Sequence, residues 1–481
     1  RAERLSDEGG NPLRLNSIGG SPILWHPDGR RLLMETVPWP ENPRPGTAAA
    51  AGAAEGGVCV PAGPAVQVSI PGEKAPARTY QDLLSSAEEE EEYEWFTTTQ
   101  ILIYDLEARR AAKLGPPDMY RSTIVSPDGK FLLVSMTRRP FSYLVPDGRF
   151  ARDIEVWALP ELGSEIGEQY LSPATRWPVA SLPVRDQIPT PQDAVEACPR
   201  AFGWQSTAPH CLRFVEAQDG GDPRNEASPE GLRDRLFTVE GPPFELERRK
   251  PGPGLEMRYS GQSACFDGTR LLSEWRWKDR RLRTWVLPQE PEAEGDVSED
   301  GIVGDRRWLL YDRSFQDMYG DPGAFQTKLH PETRQYFLRR RASDGALLLF
   351  GSGASPRGQR PFVDALRLPE ARAAAEVAAK ESGEAATAAA PRAGAQRLWR
   401  CVAAPSRPGD PPEDPLQEVG GAVLSEAVRR EELERPAALL GSGDGEPLRL
   451  LLWREAQDTP ANLFVRSLDD PSEAEVRLTD F

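Results

Sequence analysis

Three histidines, His26, His210 and His330, are the residues on which metal or acid–base chemistry would have to rest, and each stands beside a proline in a turn-like context. Loops run over the surface, so a solvated turn residue is the plain reading of all three. A multi-histidine metal site needs more of them. A Ser–His–Asp triad would need one of them beside an activated serine. The elbow G-x-S-x-G that presents such a serine does not occur: Gly353-Ala354-Ser355-Pro356-Arg357 and Gly261-Gln262-Ser263-Ala264-Cys265 each lack the second glycine. Gly351-Ser352-Gly353 with the following Ala354 to Gly358 is glycine-rich like a phosphate loop, but it lacks the Lys-Ser/Thr ending and an alternating β/α surround. Cys59, Cys198, Cys211, Cys265 and Cys401 are odd in number and form no C-x-x-C pair, which fits reduced thiols rather than a disulfide framework or a zinc site. No calcium or dinucleotide signature is present, so no cofactor is expected. Taken alone, these residues hold no complete catalytic constellation.

Two clusters could bind rather than react. In Met136-Thr137-Arg138-Arg139-Pro140-Phe141-Ser142-Tyr143, Arg139 leaves an apolar strand for a Pro-aromatic turn. A guanidinium there can grip a carboxylate bidentately, or it can be a structural arginine paired with one of the many acids. The stretch from Glu274 to Trp285 is basic and aromatic, as single-stranded nucleic-acid sites are, but a hairpin with alternating faces accounts for it equally simply. Charge favours the hairpin. The 58 Lys plus Arg against 75 Asp plus Glu leave a net charge of −17 over 481 residues, and neither nucleic acid nor an anionic membrane is the expected partner. No apolar run approaches the roughly 18–20 residues of a membrane-spanning helix.

The elements that must hold these residues are strands. With 47 prolines and 42 glycines the chain is too heavily punctuated for a mainly helical fold. Trp25-His26-Pro27-Asp28-Gly29-Arg30-Arg31-Leu32-Leu33 repeats as Val125-Ser126-Pro127-Asp128-Gly129-Lys130-Phe131-Leu132-Leu133: a Pro-Asp-Gly turn, then an apolar strand. Phe266 to Leu272 and His330 to Leu338 are weaker copies. A second kind of strand recurs at Gln100–Leu106, Ile154–Leu159, Arg283–Leu287 and Asn462–Leu468, alternating so that one face is buried and one wet. Such pairs at intervals of roughly 40–60 residues predict an all-β β-propeller of about six to seven four-stranded blades, with a large β-sandwich as the alternative. Residues 46–57 and 370–396 are Ala-rich insertions, the second either helical or disordered. The acidic run Glu88–Glu92 should be solvated, with a helical turn at Tyr80–Leu84 anchoring it.

Several strings together resemble the glutamyl endopeptidase branch of the prolyl oligopeptidase serine peptidases, in its N-terminal β-propeller. They include Tyr80-Gln81-Asp82-Leu83-Leu84, Gly115-Pro116-Pro117-Asp118-Met119-Tyr120, Arg139 to Phe150, Val215 to Asp222, Arg280-Arg281-Leu282-Arg283-Thr284-Trp285, Asp312-Arg313-Ser314 and Gly351 to Pro356, in the family's order over about residues 80–365. The resemblance implies that 1–481 is a propeller that begins after the family's first blade, and that an α/β-hydrolase catalytic domain follows beyond this chain. No catalytic residue can then be carried over, and the chain alone should be inactive. The resemblance also implies a gate that admits peptides or unfolded protein, with a basic group meeting a substrate glutamate. Arg139 is the first candidate, with Arg138 and Arg121 behind it. The chloroplast stroma is implied by the resemblance alone; otherwise the chain is read as cytoplasmic. Oligomeric state is not set by the sequence. An acylaminoacyl or dipeptidyl exopeptidase propeller and a non-catalytic interaction platform are the alternatives.

Overall fold

The turn repeat forms as its sequence dictates. Gly29 and Gly129 take φ of 68° and 74°, a region open to glycine at no steric cost. Asp28 Oδ1 accepts from the N–H of Arg30 and Arg31, and Asp128 Oδ1 from that of Lys130. The two copies also touch: His26 Nε2 lies 2.8 Å from the carbonyl of Gly129 and 3.1 Å from Arg31 Nη2. Burial, then the Arg31 guanidinium, lowers the His26 pKa.

The computed structural model describes residues 13–38, 80–160, 175–186, 188–189, 191–289, 307–355, 358–382, 393–401, 433–441, 447–456, 459–470 and 472–481. The strands fall into four-stranded sheets. The first runs β1 (Ile23–Trp25), β2 (Arg31–Thr36), β3 (Thr99–Asp105), β4 (Arg110–Asp118), with helix α1 (Ala87–Thr97) between β2 and β3. The second is β5 (Tyr120–Val125), β6 (Phe131–Arg138), β7 (Ala151–Ala158), β8 (Arg176–Leu182). The third is β9 (Arg200–Trp204), β10 (Cys211–Ala217), β11 (Asp234–Glu240), β12 (Lys250–Leu255), and the fourth β13 (Arg258–Ala264), β14 (Arg270–Arg276), β15 (Arg281–Leu287), β16 (Trp308–Ser314). Next come β17 (Ala324–Phe325), a hairpin of β18 (Thr327–Leu329) and β19 (Tyr336–Leu338), β20 (Leu347–Gly351), a hairpin of β21 (Ala354–Ser355) and β22 (Gly358–Gln359), β23 (Phe362–Leu366), α2 (Leu368–Ser382) and β24 (Ala395–Arg400). The fifth sheet is β17-β20-β23-β24. The sixth is β25 (Leu433–Leu440), β26 (Arg449–Ala456), β27 (Thr459–Ser467), β28 (Val476–Arg477). In the first, second and fourth sheets the strand after the Asp-Gly turn is second and its alternating partner third.

The chain divides into two units. Unit 1 holds Arg1–Arg258 together with His330–Gln335, and unit 2 holds Tyr259–Leu329 with Tyr336–Phe481. In unit 1 the second sheet is apolar on both faces. Leu132, Val134 and Trp157 pack on Leu33, Ile101 and Ile103 of the first sheet. Phe131, Leu133, Ile154 and Val156 pack on Leu212, Phe214 and Phe237 of the third. Unit 2 repeats the plan. Leu347, Leu349 and Leu366 of the fifth sheet meet Leu271, Val286 and Leu310, while Leu348, Val363 and Trp399 meet Leu450 and Leu452. The tip of the β18–β19 hairpin belongs to unit 1: Gln335 Nε2 donates to the Val125 carbonyl at 3.4 Å, and Arg334 lies over Trp25.

Four expectations change. His26, read as a solvated turn residue, is buried because its ring packs into the turn between the two repeat copies. The acidic run is itself the helix. Ser86 Oγ accepts from Glu89 N–H, Glu89 Oε2 accepts from Ser85 N–H, and acids in the first turn suit the positive end of the helix dipole. Residues 80–84 are not helical, and Asp82 takes φ of 55°. Strand β3 is buried at every position rather than wet on one face. Of the Ala-rich insertions, 46–57 lies outside the described residues, and the beginning of 370–396 is helical in α2.

Candidate functional site

The three arginines singled out by sequence are each already engaged by carboxylates. Arg139 sits just past β6 with its side chain 44% exposed, Nη1 2.6 Å from Glu90 and Nη2 2.7 Å from Glu94, one helical turn apart on α1. Its guanidinium also covers the Phe141 ring at 4.6 Å. Arg138 spans Asp118 and Asp153, both at 2.7 Å, and Arg121 meets Asp147 at 2.7 Å. The paired-arginine reading is thus the geometry seen at all three. The Trp275 cluster is likewise a hairpin of β14 and β15. Arg276 pairs with Asp279, Arg281 and Arg283 with Asp312, and Arg280 stacks on Trp277.

A second group of arginines escaped the sequence reading. Between the second and third sheets of unit 1 lies a cavity of about 210 Å³. Its floor is Leu133, Ile154 and Leu182, all buried, and the exposed Ser122 and Ala201 stand at its edge. Arg152, Arg185 and Arg200 line it together with Glu196, and Asp147 and Asp234 act on Arg152 and Arg200. Arg152 Nη2 donates to the Gly148 carbonyl at 2.6 Å, and Arg185 donates to the same oxygen. Arg185 Nη1 pairs with Glu196 at 2.7 Å, and Arg200 pairs with Asp234. After these bonds Arg152 Nε, Arg185 Nε, Arg200 Nη1 and the Ser135 hydroxyl remain buried with no hydrogen-bond partner. Burial, then Arg185, then Arg121 pull the Arg152 pKa down to about 10. Arg121 is therefore the sequence candidate tied electrostatically to this cluster.

Local sequence explains the arrangement. Arg152 shares one face of β7 with Ile154 and Val156, and Ser135 shares one face of β6 with Phe131 and Leu133. A cation and a hydroxyl each in register with core residues were the signals to be read. On β9 the register against β10 slips, and Ala201 takes φ of 55°. A bulge re-aims side chains, and here three successive residues, Arg200, Ala201 and Phe202, border the cavity.

Among proteins of known name, the chain is 32% identical over 307 residues to a "Probable glutamyl endopeptidase, chloroplastic" of Oryza sativa subsp. japonica, covering 63% of this chain and 30% of that protein. It is 31% identical over 354 residues to the protein of the same name in Arabidopsis thaliana, covering 73% of this chain and 33% of that one. The chain is a relative of the glutamyl endopeptidases. It spans about a third of the length of the relatives it matches. No family model matches this glutamyl endopeptidase relative. Solved structures similar to it include an acylaminoacyl peptidase of Pyrococcus horikoshii at 13% identity, covering 80% of this chain and 42% of that one, with a TM-score of 0.32. Prolyl oligopeptidase B of Galerina marginata matches at 10% identity over 79% of this chain and 41% of that one, TM-score 0.36. The β-propeller domain of the trilobed protease of Pyrococcus furiosus matches at 10% identity over 80% and 87%, TM-score 0.28. Among the described residues of the glutamyl endopeptidase relative, no helix is long and apolar enough to cross a membrane.

Proposed function

We propose that this chain is the β-propeller of a serine-type glutamyl endopeptidase and gates access to a catalytic α/β-hydrolase domain of the same protein, acting on peptides or unfolded protein in the chloroplast stroma. The observation that carries this is the identity of about 31% to glutamyl endopeptidases sustained over 354 residues. The sheet plan supports it. Propellers are built from four-stranded sheets stacked on their neighbours in chain order, as the three sheets within each unit are. A folded substrate would be excluded by size and an extended one admitted.

Within this reading Arg139 is the first candidate for the substrate carboxylate, ahead of Arg138 and Arg121. Its ion pairs with Glu90 and Glu94 are half-exposed, and such pairs are worth only about 0–1 kcal/mol, so an incoming carboxylate can displace one. The test uses the full-length protein that contains this chain. It should cleave an unfolded, disulfide-reduced protein and short glutamate-containing peptides, and leave the same protein intact when folded. Equal cleavage of both forms removes the gate. Arg139→Ala should raise KM for glutamate peptides with little change in kcat, and unchanged kinetics remove Arg139 as a contact.

A further inference from the structure

Helix α1 lies on unit 1 without being packed into it. None of its 11 residues is buried, and an isolated helix of this length is marginal in water. A helix with no buried face is either held by side-chain pairs or bridges two bodies. The inner side of α1 is held by pairs: Tyr93 meets Phe141 and Phe150, and Arg139 meets Glu90 and Glu94. The helical period then turns Glu88, Glu91 and Trp95 outward, with Phe96 beside them. Apolar side chains gather around this outer face. Of the large ones that the described residues of unit 1 expose, all but Ile23 and Trp25 flank α1. At its C-terminal end Phe96 is 43% exposed, and Leu15 and Ile18 are 41% and 56% exposed. They are neighbours because Asn16 donates to the Phe96 carbonyl at 3.0 Å. At its N-terminal end stand Leu144 and Tyr143, whose hydroxyl bonds Glu90. Contiguous exposed apolar groups rimmed by charge mark interaction surfaces. Charge decides what covers this one. Among the described residues no base pairs with Glu88, Glu89 or Glu91, since Arg139 is spent on Glu90 and Glu94. A second copy of this chain would bring the same acids, and a net charge of −17, against them.

We propose that the outer face of α1 docks a basic segment of a partner protein that carries an apolar residue at each end. The 11 residues of α1 rise about 16 Å, which about five extended residues span. The basic side chains meet Glu88 and Glu91. One apolar end lies on Phe96, Leu15 and Ile18, and the other on Tyr143 and Leu144. The surface belongs to unit 1 alone, asks for no glutamate in the partner, and stands apart from the peptidase reading.

Fluorescence anisotropy on the 481-residue chain with labelled, acetylated and amidated peptides at low ionic strength tests this. Leu-Arg-Arg-Arg-Arg-Leu should bind with a Kd of roughly 100 μM or tighter. Gly-Arg-Arg-Arg-Arg-Gly should bind at least about fivefold more weakly, and Leu-Ser-Ser-Ser-Ser-Leu at least about tenfold more weakly. Ile18→Ser removes one apolar contact from an exposed position and should weaken the first peptide roughly three- to tenfold. Glu88→Gln with Glu91→Gln should weaken it to a similar degree and also flatten its dependence on salt. If Ile18→Ser fails to fold, the glycine-ended peptide and the glutamate changes still decide. Equal affinity for the leucine-ended and glycine-ended basic peptides, no binding of either, or unchanged affinity after both sets of substitutions overturns the proposal. A dimer in sedimentation that Ile18→Ser disperses gives the face to a second copy and overturns it as well.

Discussion

Alanine at Gly129 would meet two obstacles at once. The residue's φ of 74° is disfavoured for any side chain, and an added Cβ would lie 2.6 Å from the His26 ring. At Gly29 the φ is 68°, but the nearest atom is the end of the Arg334 side chain at 3.2 Å, which can move. Gly129→Ala should therefore lower unfolding free energy by about 2–4 kcal/mol and Gly29→Ala by about 1 kcal/mol, measured by urea denaturation. Comparable losses would mean that the His26 contact is not rigid. The same histidine carries a pH signature. Its folded pKa lies below its unfolded value of about 6.5, so the unfolded chain binds the extra proton and stability falls as pH drops below about 6.5. In His26→Gln that decline between pH 7 and 5.5 should flatten. Asp-Gly and its positive φ were legible in the sequence, because turn chemistry is local. That His26 bonds across to the second copy was not, since 103 residues separate donor from acceptor.

On the scale of one element, α1 shows how local signals compete. Five consecutive glutamates suggest repulsion, yet Ser85, Ser86 and Glu89 form reciprocal caps, and Arg139 neutralises Glu90 and Glu94. Tyr93 then anchors the helix edge-on to Phe141 and Phe150, at 5.1 and 5.5 Å between ring centres. Ser86→Ala should cost about 1 kcal/mol of local stability and appear as faster amide exchange over Ala87–Thr97, with β6 and β7 unchanged. A global change in exchange would show that the helix is not a separable element. The cap was written in the sequence as Ser-x-x-Glu at 86–89. The arginine that quiets the charge comes 45 residues after Glu94, beyond the reach of any local pattern. Strand β3 was legible after all: Ile101-Leu102-Ile103-Tyr104 is a continuous apolar run, the pattern of a strand buried on both faces rather than one.

Over the whole molecule, 51 of the 58 basic residues are arginine, and their bidentate pairs with aspartate recur in both units. Asp279 is held at about 2 by Arg276. Burial alone would raise Asp28, but the N–H groups of Arg31 and Arg30 and the Arg31 side chain bring it down to about 2. Arg341 likewise lowers Asp344. An acid whose folded pKa lies below its unfolded value of about 3.9 lends stability above that value and loses it as pH falls toward the folded one. Stability should thus decline gently below pH 6.5 and steeply only between about pH 4 and 2, as followed by circular dichroism. A steep loss already at pH 5 would mean that these pairs contribute little. The repeated turn and strand pairs made the all-β plan legible, and the strings from Tyr80 to Pro356 carry the resemblance to glutamyl endopeptidases. The cationic cluster was half legible: Arg152 and Ser135 fall in register with core residues, but Arg185 and Arg200 join them only in the folded state.

One small feature bears on how the chain is made. Unit 1 is complete through Arg258 except for His330–Gln335, whose turn returns to Val125 and Trp25. During synthesis the first three sheets emerge long before that turn does. Domains tend to fold N-terminus first as they leave the ribosome. Here the turn's contacts to Val125 and Trp25 can form only after more than seventy further residues have been translated. A nascent chain arrested just before His330 should be more open to protease near Val125 than one extended past Gln335.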